Sequence, residues 1–299
     1  MYIRRSATAW TIQAPAKLNL FFEVLAKRSD GYHEIETLMC PIDLYDTLRL
    51  EEDPSGRVTL RCRRARGPSD CGLRTVPVGP DNLVVRAVEL VRLRTGVRRG
   101  AKVRLVKRIP AAAGLGGGSS DAAAALVAAN EVWRLGRSPE ELAQWAAELG
   151  SDVPFFLVNG PAVCRGRGEQ VSPLGDFGAL HFVVVRPPVG LATAVVYGAC
   201  RPAAEPSRVE PLIQVLRSGD REQAGRLLMN RLQPVAEMLS PWVKRLREEF
   251  SRLDFLGHGM SGSGTSYFGL CRCAGHARRA ARRLEEKGLG RVFTVRSCR

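Results

Sequence analysis

No stretch of this sequence approaches the eighteen or so unbroken apolar residues of a membrane-spanning helix. Its first eight residues lack the apolar run of a signal peptide. Both absences predict a soluble, cytoplasmic chain with no membrane partner. The eight cysteines (40, 62, 71, 164, 200, 271, 273 and 298) form no disulfide framework. Cys271 and Cys273 make one Cys-x-Cys pair, sharing a face if they lie in a strand, but no second pair stands at zinc-ligand spacing, so no structural metal is expected. Lysine is scarce: six residues among 45 basic ones, so the net charge of +15 is an arginine charge. Aromatics make up 6% and include no RNA-recognition motif. Arg278, Arg279, Arg282 and Arg283 concentrate the charge on a helix predicted over 275–287, where Glu285 and Glu286 follow. That pattern predicts a solvated, salt-bridged surface helix and no nucleic-acid partner. The field would draw small polyanions toward a basic cleft.

What is present is globular: 299 residues, 45% hydrophobic and 25% charged, enough for two domains. Residues 9–26 read as a strand broken by Pro15, and 44–52 with 57–63 as a pair of strands. Residues 64–81 read as a surface loop, and Asp81-Asn82 caps a helix to Arg94. A strand over 101–109 precedes a helix over 121–134. Ser138-Pro139-Glu140-Glu141 opens another helix, with Ser as N-cap, Pro in the first turn and Glu three after the cap. Beyond residue 180 come a strand (181–186), helices (208–218, 220–230 and 241–251, the last capped by Ser240), a strand (265–272), a helix (275–287) and a strand (291–296). Strands and helices interleave without a βαβ repeat, which predicts the α+β class. A boundary is placed near 166–178, giving domains of 1–170 and 171–299.

Residues 107–122 are the most informative. After Pro110 a glycine cluster stands between a strand and an Ala-rich helix. Glycines let the backbone approach a ligand closely, and a helix start presents unpaired N–H groups and a positive dipole end, which suit phosphate oxygens. No Lys follows the glycines, which excludes a Walker loop. Ser119 occupies the sixth place of a Rossmann turn, which needs glycine. The protein-kinase loop fails at the same position.

Three further segments carry candidate chemistry. In Pro15-Ala-Lys17-Leu-Asn19, Lys17 and Asn19 share a strand face; Lys17 reads either as a functional cation, as an edge-strand charge or as a snorkelling side chain. In Gly150-Ser-Asp152-Val-Pro154-Phe-Phe, Asp152 reads either as a partly buried acid in need of a partner, for which Lys17 is a candidate, or as a turn residue. Gly257-His-Gly-Met-Ser261-Gly262-Ser263-Gly264-Thr265 reads either as an anion-binding turn or as a flexible turn between strands. His33, taken alone, caps a loop.

Together, Pro-Ala-Lys-Leu-Asn, Gly-Leu-Gly-Gly-Gly-Ser-Ser-Asp-Ala, Gly-Ser-Asp-Val-Pro-Phe-Phe and Met-Ser-Gly-Ser-Gly, in this order, resemble the GHMP small-molecule kinases. Arg28-Ser-Asp30-Gly31-Tyr32-His33 and Thr193-Ala-Val-Val-Tyr197 resemble the branch that phosphorylates the 2-hydroxyl of 4-diphosphocytidyl-2-C-methyl-D-erythritol in the non-mevalonate isoprenoid pathway. The resemblance implies a ribosomal-S5-domain-2-like N-terminal domain, a ferredoxin-like C-terminal domain and an active site between them. It implies ATP and Mg²⁺ as cofactors, a small-molecule substrate, and a monomer or weak homodimer. Asp152 is the implied base, and Lys17 the cation that keeps it ionised and neutralises the transferred group. Pro110, Ala113, Gly114, Leu115, Gly116, Gly117, Gly118, Ser119, Ser120, Asp121 and Ala122 are implied to hold ATP. Asn19, Tyr32, His33, Thr193, Tyr197, Ser261, Gly262, Ser263 and Gly264 are implied to hold substrate, with Tyr32 and Tyr197 stacking on cytosine.

Two departures stand out. Ala111, Ala112 and Ala113 replace Met or Gly of relatives; Ala takes positive φ at a cost, so this part of the loop is expected to be helical or extended. Arg231 and Gln233 stand where relatives carry Asp and Glu, so any ion pair made there by relatives is in doubt. Two rival functions remain: a sister kinase for another alcohol, which needs no cytosine pocket, and a basic nucleic-acid-binding protein, which would not explain Lys17 and Asp152.

Overall fold

The computed structural model describes residues 1–6, 9–65 and 77–298. Most of the loop expected over 64–81 lies outside them. The chain forms two compact units that are not consecutive stretches: residues 1–16, 44–111 and 116–159 make the first, and 17–43, 112–115 and 160–299 the second.

In the first unit the strands are β1 (Tyr2–Arg5), the opening of β2 (Ala9–Lys27), the close of β3 (His33–Asp53), β4 (Val58–Arg64) and β5 (Gly100–Lys107), in the order β1-β2-β3-β5-β4. The strands predicted over 44–52 and 57–63 are therefore not neighbours; β5 lies between them, antiparallel to β3 and parallel to β4. Helix α1 (Leu83–Thr95) makes the crossover that a parallel pair requires, and Asn82 caps it, its side chain accepting from the Val84 N–H. Helix α2 (Gly117–Val132) packs against α1 and α3 (Pro139–Leu149). Its alanines 122–125, 128 and 129 are wholly buried, and small side chains let the helices close on one another. The Ser138–Glu141 capping box on α3 is present as expected.

Pro15 does not break β2. The N–H of Lys17, two residues on and so on the same strand edge, donates to the Leu115 carbonyl, while β1 reaches only Gln13. Pro15 therefore faces an edge with no ladder strand among the described residues, where a missing N–H costs little.

In the second unit, the remaining parts of β2 and β3 are joined by β6 (Ala162–Arg165), β7 (Gln170–Pro173) and, later in the chain, β9 (Met229–Asn230). The early part of β3, residues 33–43, escaped the sequence reading because nearly all of it is buried, so it shows no alternation. A four-stranded antiparallel sheet follows the order β10-β11-β8-β12, with β8 (His181–Arg186), β10 (Gly257–Met260), β11 (Tyr267–Cys271) and β12 (Arg291–Arg296). Helices α4 (Thr193–Ala199), α5 (Glu210–Ser218), α6 (Arg221–Arg226), α7 (Gln233–Leu239), α8 (Pro241–Ser251) and α9 (Ala274–Glu286) complete it. The helix predicted over 220–230 stops at Arg226, and α4 and α7 were missed, being only seven residues each. The unit's core gathers Val183, Val185, Val196, Leu246, Phe250 and Tyr267.

Cys271 ends β11 and is buried, whereas Cys273 is the exposed N-cap of α9, so the pair shares no strand face. Arg278, Arg279, Arg282 and Arg283 are exposed, as expected of a solvated helix, but among the described residues none of the four pairs with an acid; the contacts to acids over 275–287 are those of His276 with Asp254 and Lys287 with Glu249. No helix is long and apolar enough to cross a membrane among the described residues.

Strand β10 was read as a glycine turn, but its glycine serves packing. A Cβ on Gly257 would lie 2.0 Å from the Gly225 carbonyl oxygen, and one on Gly225 would lie 2.1 Å from that of Leu256. Gly225→Ala should destabilise the protein by about 1–3 kcal/mol, the usual cost of overpacking, read as a lower urea midpoint at unchanged slope.

Candidate active site

The cradle begins where β5 ends. Pro110 is buried, the chain turns through Ala112 (φ +48°), Gly114 (φ +74°) and Gly116 (φ +69°), and α2 starts at Gly117. Gly117, Gly118, Ser119, Ser120, Asp121 and Ala122 are thus helical, and the helix predicted from Asp121 begins four residues earlier. The left-handed Gly116 acts as N-cap, after which the glycines continue as helix. The first-turn N–H groups have no intrahelical acceptor, and the Ser120 hydroxyl is buried without a partner among the described residues. Ala113 and Leu115 are buried beneath the turn.

Under this first turn lies a buried charge trio. Lys107 Nζ donates to Asp46 Oδ2 and, at 2.5 Å, to Asp121 Oδ2. Asp46 is fully buried and its other oxygen accepts the Ile109 N–H at 2.9 Å. Burial, together with the Asp46 charge and against the pull of Lys107, pushes the Asp121 carboxyl up to about 8. One ammonium between two carboxylates is balanced when one carboxyl keeps its proton, and Asp121, whose Oδ1 has no partner among the described residues, is that one.

In the second unit, Lys17 Nζ donates to Asn19 Oδ1 at 2.5 Å, and Asn19 Nδ2 donates to Thr37 Oγ1 at 2.9 Å. The Thr37 hydroxyl in turn donates to the Phe21 carbonyl at 2.6 Å. The Ser261 hydroxyl donates to the Gly114 carbonyl at 2.9 Å and lies 3.4 Å from Asn19 Oδ1. Gly114 can only be glycine, because its Cβ would fall 2.1 Å from the Ser261 carbonyl oxygen. Asn230 holds the turn from below, donating to the carbonyls of Met260 and Gly262 at 2.7 and 2.8 Å. Two motifs far apart in sequence thus become one packed object around Lys17.

An aromatic corner forms on the same unit. His33 and Tyr197 have ring centroids 5.2 Å apart, and Phe22 meets Tyr197 edge-on at 6.3 Å. Burial, then the charge of Lys27, lowers the His33 pKa, so its imidazole is neutral at pH 7 and offers one donor and one acceptor. Tyr32 is exposed, with the Arg167 guanidinium 4.7 Å from its ring centre. Thr193, opening α4, lies 2.9 Å from the Ser263 hydroxyl, Oγ to Oγ. Gly264 adjoins Ser263 in the turn, at φ +94°.

Asp152 is half-buried in the turn after α3, ahead of buried Val153, Pro154, Phe155 and Phe156. It belongs to the first unit, with the α2 first turn, and Lys17 to the second.

Comparison with known proteins gives this geometry a family. Residues 82–160 match the GHMP kinases N terminal domain and 212–289 the GHMP kinases C terminal. The chain is 43% identical over 275 residues to a 4-diphosphocytidyl-2-C-methyl-D-erythritol kinase of Pelotomaculum thermopropionicum, covering 91% of this chain and 93% of that one. A kinase of the same name from Shouchella clausii is 39% identical, over 87% and 85% of the two chains. A crystal structure of 4-(cytidine 5'-diphospho)-2C-methyl-D-erythritol kinase matches with a TM-score of 0.77 at 36% identity, covering 97% and 99%. The chain belongs to this family of GHMP kinases. It is a small-molecule kinase of the α+β class.

The departures of this kinase now have structures. Ala112 does take positive φ, against expectation; its carbonyl oxygen sits 3.2 Å from where a Cβ on Gly190 would be, so the turn is packed in place. Arg231 makes a two-pronged pair with buried Glu23 at 2.7 and 2.9 Å. Gln233 accepts the Met260 N–H and donates to Tyr267 and Glu237, a combination an ionised Glu cannot offer. Sequence reasoning missed Thr37, Asp46 and Lys107. Polarity did not set them apart, because β3 and β5 carry several other charged residues.

Two stability predictions follow from this geometry. Lys107→Met leaves the buried Asp46 and Asp121 carboxyls without their cation and should cost about 3–5 kcal/mol, whereas Asp121→Asn, close in shape to the protonated acid, should cost less than about 1 kcal/mol. Equal losses in urea unfolding would contradict the proton on Asp121. Ala112→Gly should raise stability by about 1 kcal/mol by removing left-handed strain, checked by the same measurement.

Proposed function

We propose that this kinase transfers the γ-phosphoryl group of ATP to the 2-hydroxyl of 4-diphosphocytidyl-2-C-methyl-D-erythritol, the compound named in its relatives. The observation that carries the substrate is the neutral His33 against Tyr197, a flat aromatic wall beside a ring with one donor and one acceptor. A pyrimidine needs both. An alcohol without a base would leave that wall unused, which weighs against a sister kinase of the same fold.

Asp152 takes the proton of the attacking hydroxyl. Lys17, held in direction by Asn19, neutralises charge on the transferred group. The Gly114–Ser120 segment holds the ATP phosphates through the open N–H groups of the α2 first turn. These groups fit a triphosphate: the helix's first turn has no bulky side chain before Ser119, and the Ser120 hydroxyl is without a partner among the described residues. Among the described residues no three His, Cys, Asp or Glu side chains gather as a cage for a cation. Mg²⁺ would therefore be carried mainly by the phosphates, with the Ser119 or Ser120 hydroxyl as the donor from this chain; bound there, it would neutralise phosphate charge. The ATP-binding and catalytic role expected of residues 1–170 and the substrate-binding role expected of 171–299 are carried in this proposal by the two compact units, with the α2 first turn and Asp152 on the first and the residues facing the cytosine on the second.

The test is turnover by purified protein with ATP, Mg²⁺ and the diphosphocytidyl substrate, against a panel that includes homoserine and mevalonate. Turnover is expected only with the first. Asp152→Asn should lower kcat by about 10²–10⁴-fold with an unchanged circular dichroism spectrum. Retained turnover in that variant would overturn the assignment of the base.

A further inference from the structure

The chain between Tyr197 and Val209 is fastened by two acids that the proposed chemistry does not use. Glu23 on β2 is fully buried and Glu36 on β3 nearly so. Glu23 Oε2 accepts the Ser207 N–H at 3.0 Å, and Glu36 Oε2 accepts the Val209 N–H at 3.1 Å. Each acid carries an arginine on its other side. Arg231 pairs with Glu23 through both prongs, and Arg165 Nε donates to Glu36 Oε1 at 2.8 Å. Arg231 is itself tied to β2, its N–H donating to the Phe22 carbonyl at 2.8 Å. Between these anchors and α4, most of residues 201–207 are exposed.

The anchors adjoin the aromatic corner along the chain. Glu23 follows Phe22, whose ring meets Tyr197, and Glu36 lies three residues after His33. At the end of α4 the Cys200 N–H donates to the Tyr197 carbonyl, and from there the chain returns to the two acids. A tyrosine on a seven-residue helix has little intrinsic rigidity, since helices this short are marginal alone. What fixes its ring must come from tertiary anchors. Charged acceptors that bind backbone N–H groups are stronger anchors than neutral ones.

We propose that Glu23 and Glu36, each braced by its arginine, are positioning residues that clamp segment 200–209 and so hold Tyr197 against His33 in the geometry that binds the substrate's base. The clamp rests on the assignment of that corner to the base. Neither acid touches the reacting atoms, so its effect falls on substrate affinity and not on the chemical step.

The experiment compares Glu23→Gln, Glu36→Gln and Tyr197→Ala. Each acid variant should raise KM for the diphosphocytidyl substrate about tenfold, the factor of one hydrogen bond to a charged group. KM for ATP and kcat at saturation should stay within about twofold in this comparison. Combined with Tyr197→Ala, which should raise the same KM by itself, the acid variants should add little, because both act through one contact. In the wild-type protein the Ser207 and Val209 amides should exchange with deuterium more slowly than the exposed amides around them, a reading that needs no variant to fold. Acid variants with wild-type KM, or fast exchange at both amides, would overturn the clamp while Tyr197→Ala still raised KM. An unchanged KM in Tyr197→Ala would instead overturn the assignment of the corner, and the clamp with it.

Discussion

The carbonyl of Ser261 occupies the place where a side chain on residue 114 would stand. Much of the second unit's architecture answers to that contact. Because Gly114 has no Cβ, the phosphate turn and the later glycine turn touch backbone to backbone, and the Ser261 hydroxyl ties them. Because the turns touch, Asn19 can bind Ser261 and Lys17 together, and the ammonium gains a fixed direction. Asn230 supports the same turn from the opposite side. Glycine here gives proximity between two segments, and flexibility is not what it contributes.

Buried acids show how this chain handles charge. Asp46, Asp121, Glu23 and Glu36 are all at least nine-tenths buried, and each has a cation and, apart from Asp121, at least one backbone N–H. An isolated carboxylate in such places would cost many kcal/mol; with a cation and N–H donors the cost falls and the geometry becomes specific. The Glu23 carboxyl shows the balance. Burial pushes its pKa up, but Arg231 and the N–H groups of Ser207 and Val24 outweigh it and hold it below the usual carboxylate range. That sign makes the anchor strongest above the unfolded pKa and lost as pH falls through the folded one.

How much of this was legible in the sequence depended on whether the signal was local. The Ser138 capping box, the Asn82 cap and strands 181–186 and 291–296 are written in neighbouring residues and were read with little error. Strand 33–43 was not, because burial on both faces erases alternation. Strand 257–260 was not, because its glycine answers to Gly225, which no local pattern displays. The candidate residues were named through motifs, yet the motifs did not show that Asn19 spends its amide inside the protein or that Ala112 adopts the left-handed region. Those facts belong to tertiary packing.

One local signal was present and easily passed over. In a chain that uses arginine for 39 of its 45 basic residues, the six lysines are the exceptions, and two of them, Lys17 and Lys107, are buried at the candidate site. Lys27, Lys102, Lys244 and Lys287 are exposed. A guanidinium is a planar fork that needs acceptors arranged along its edges, whereas an ammonium is a compact point charge. Lys107 must reach two carboxylates at once from a single point beneath Gly117, whose Cβ position is only 3.3 Å from its Nζ. Lys17 must fit beside Gly262 at the same spacing. In both places a compact ammonium lies against a glycine. Where a composition is so strongly biased toward one cation, a buried survivor of the other kind marks a position at which the shape of the charge matters as well as its sign.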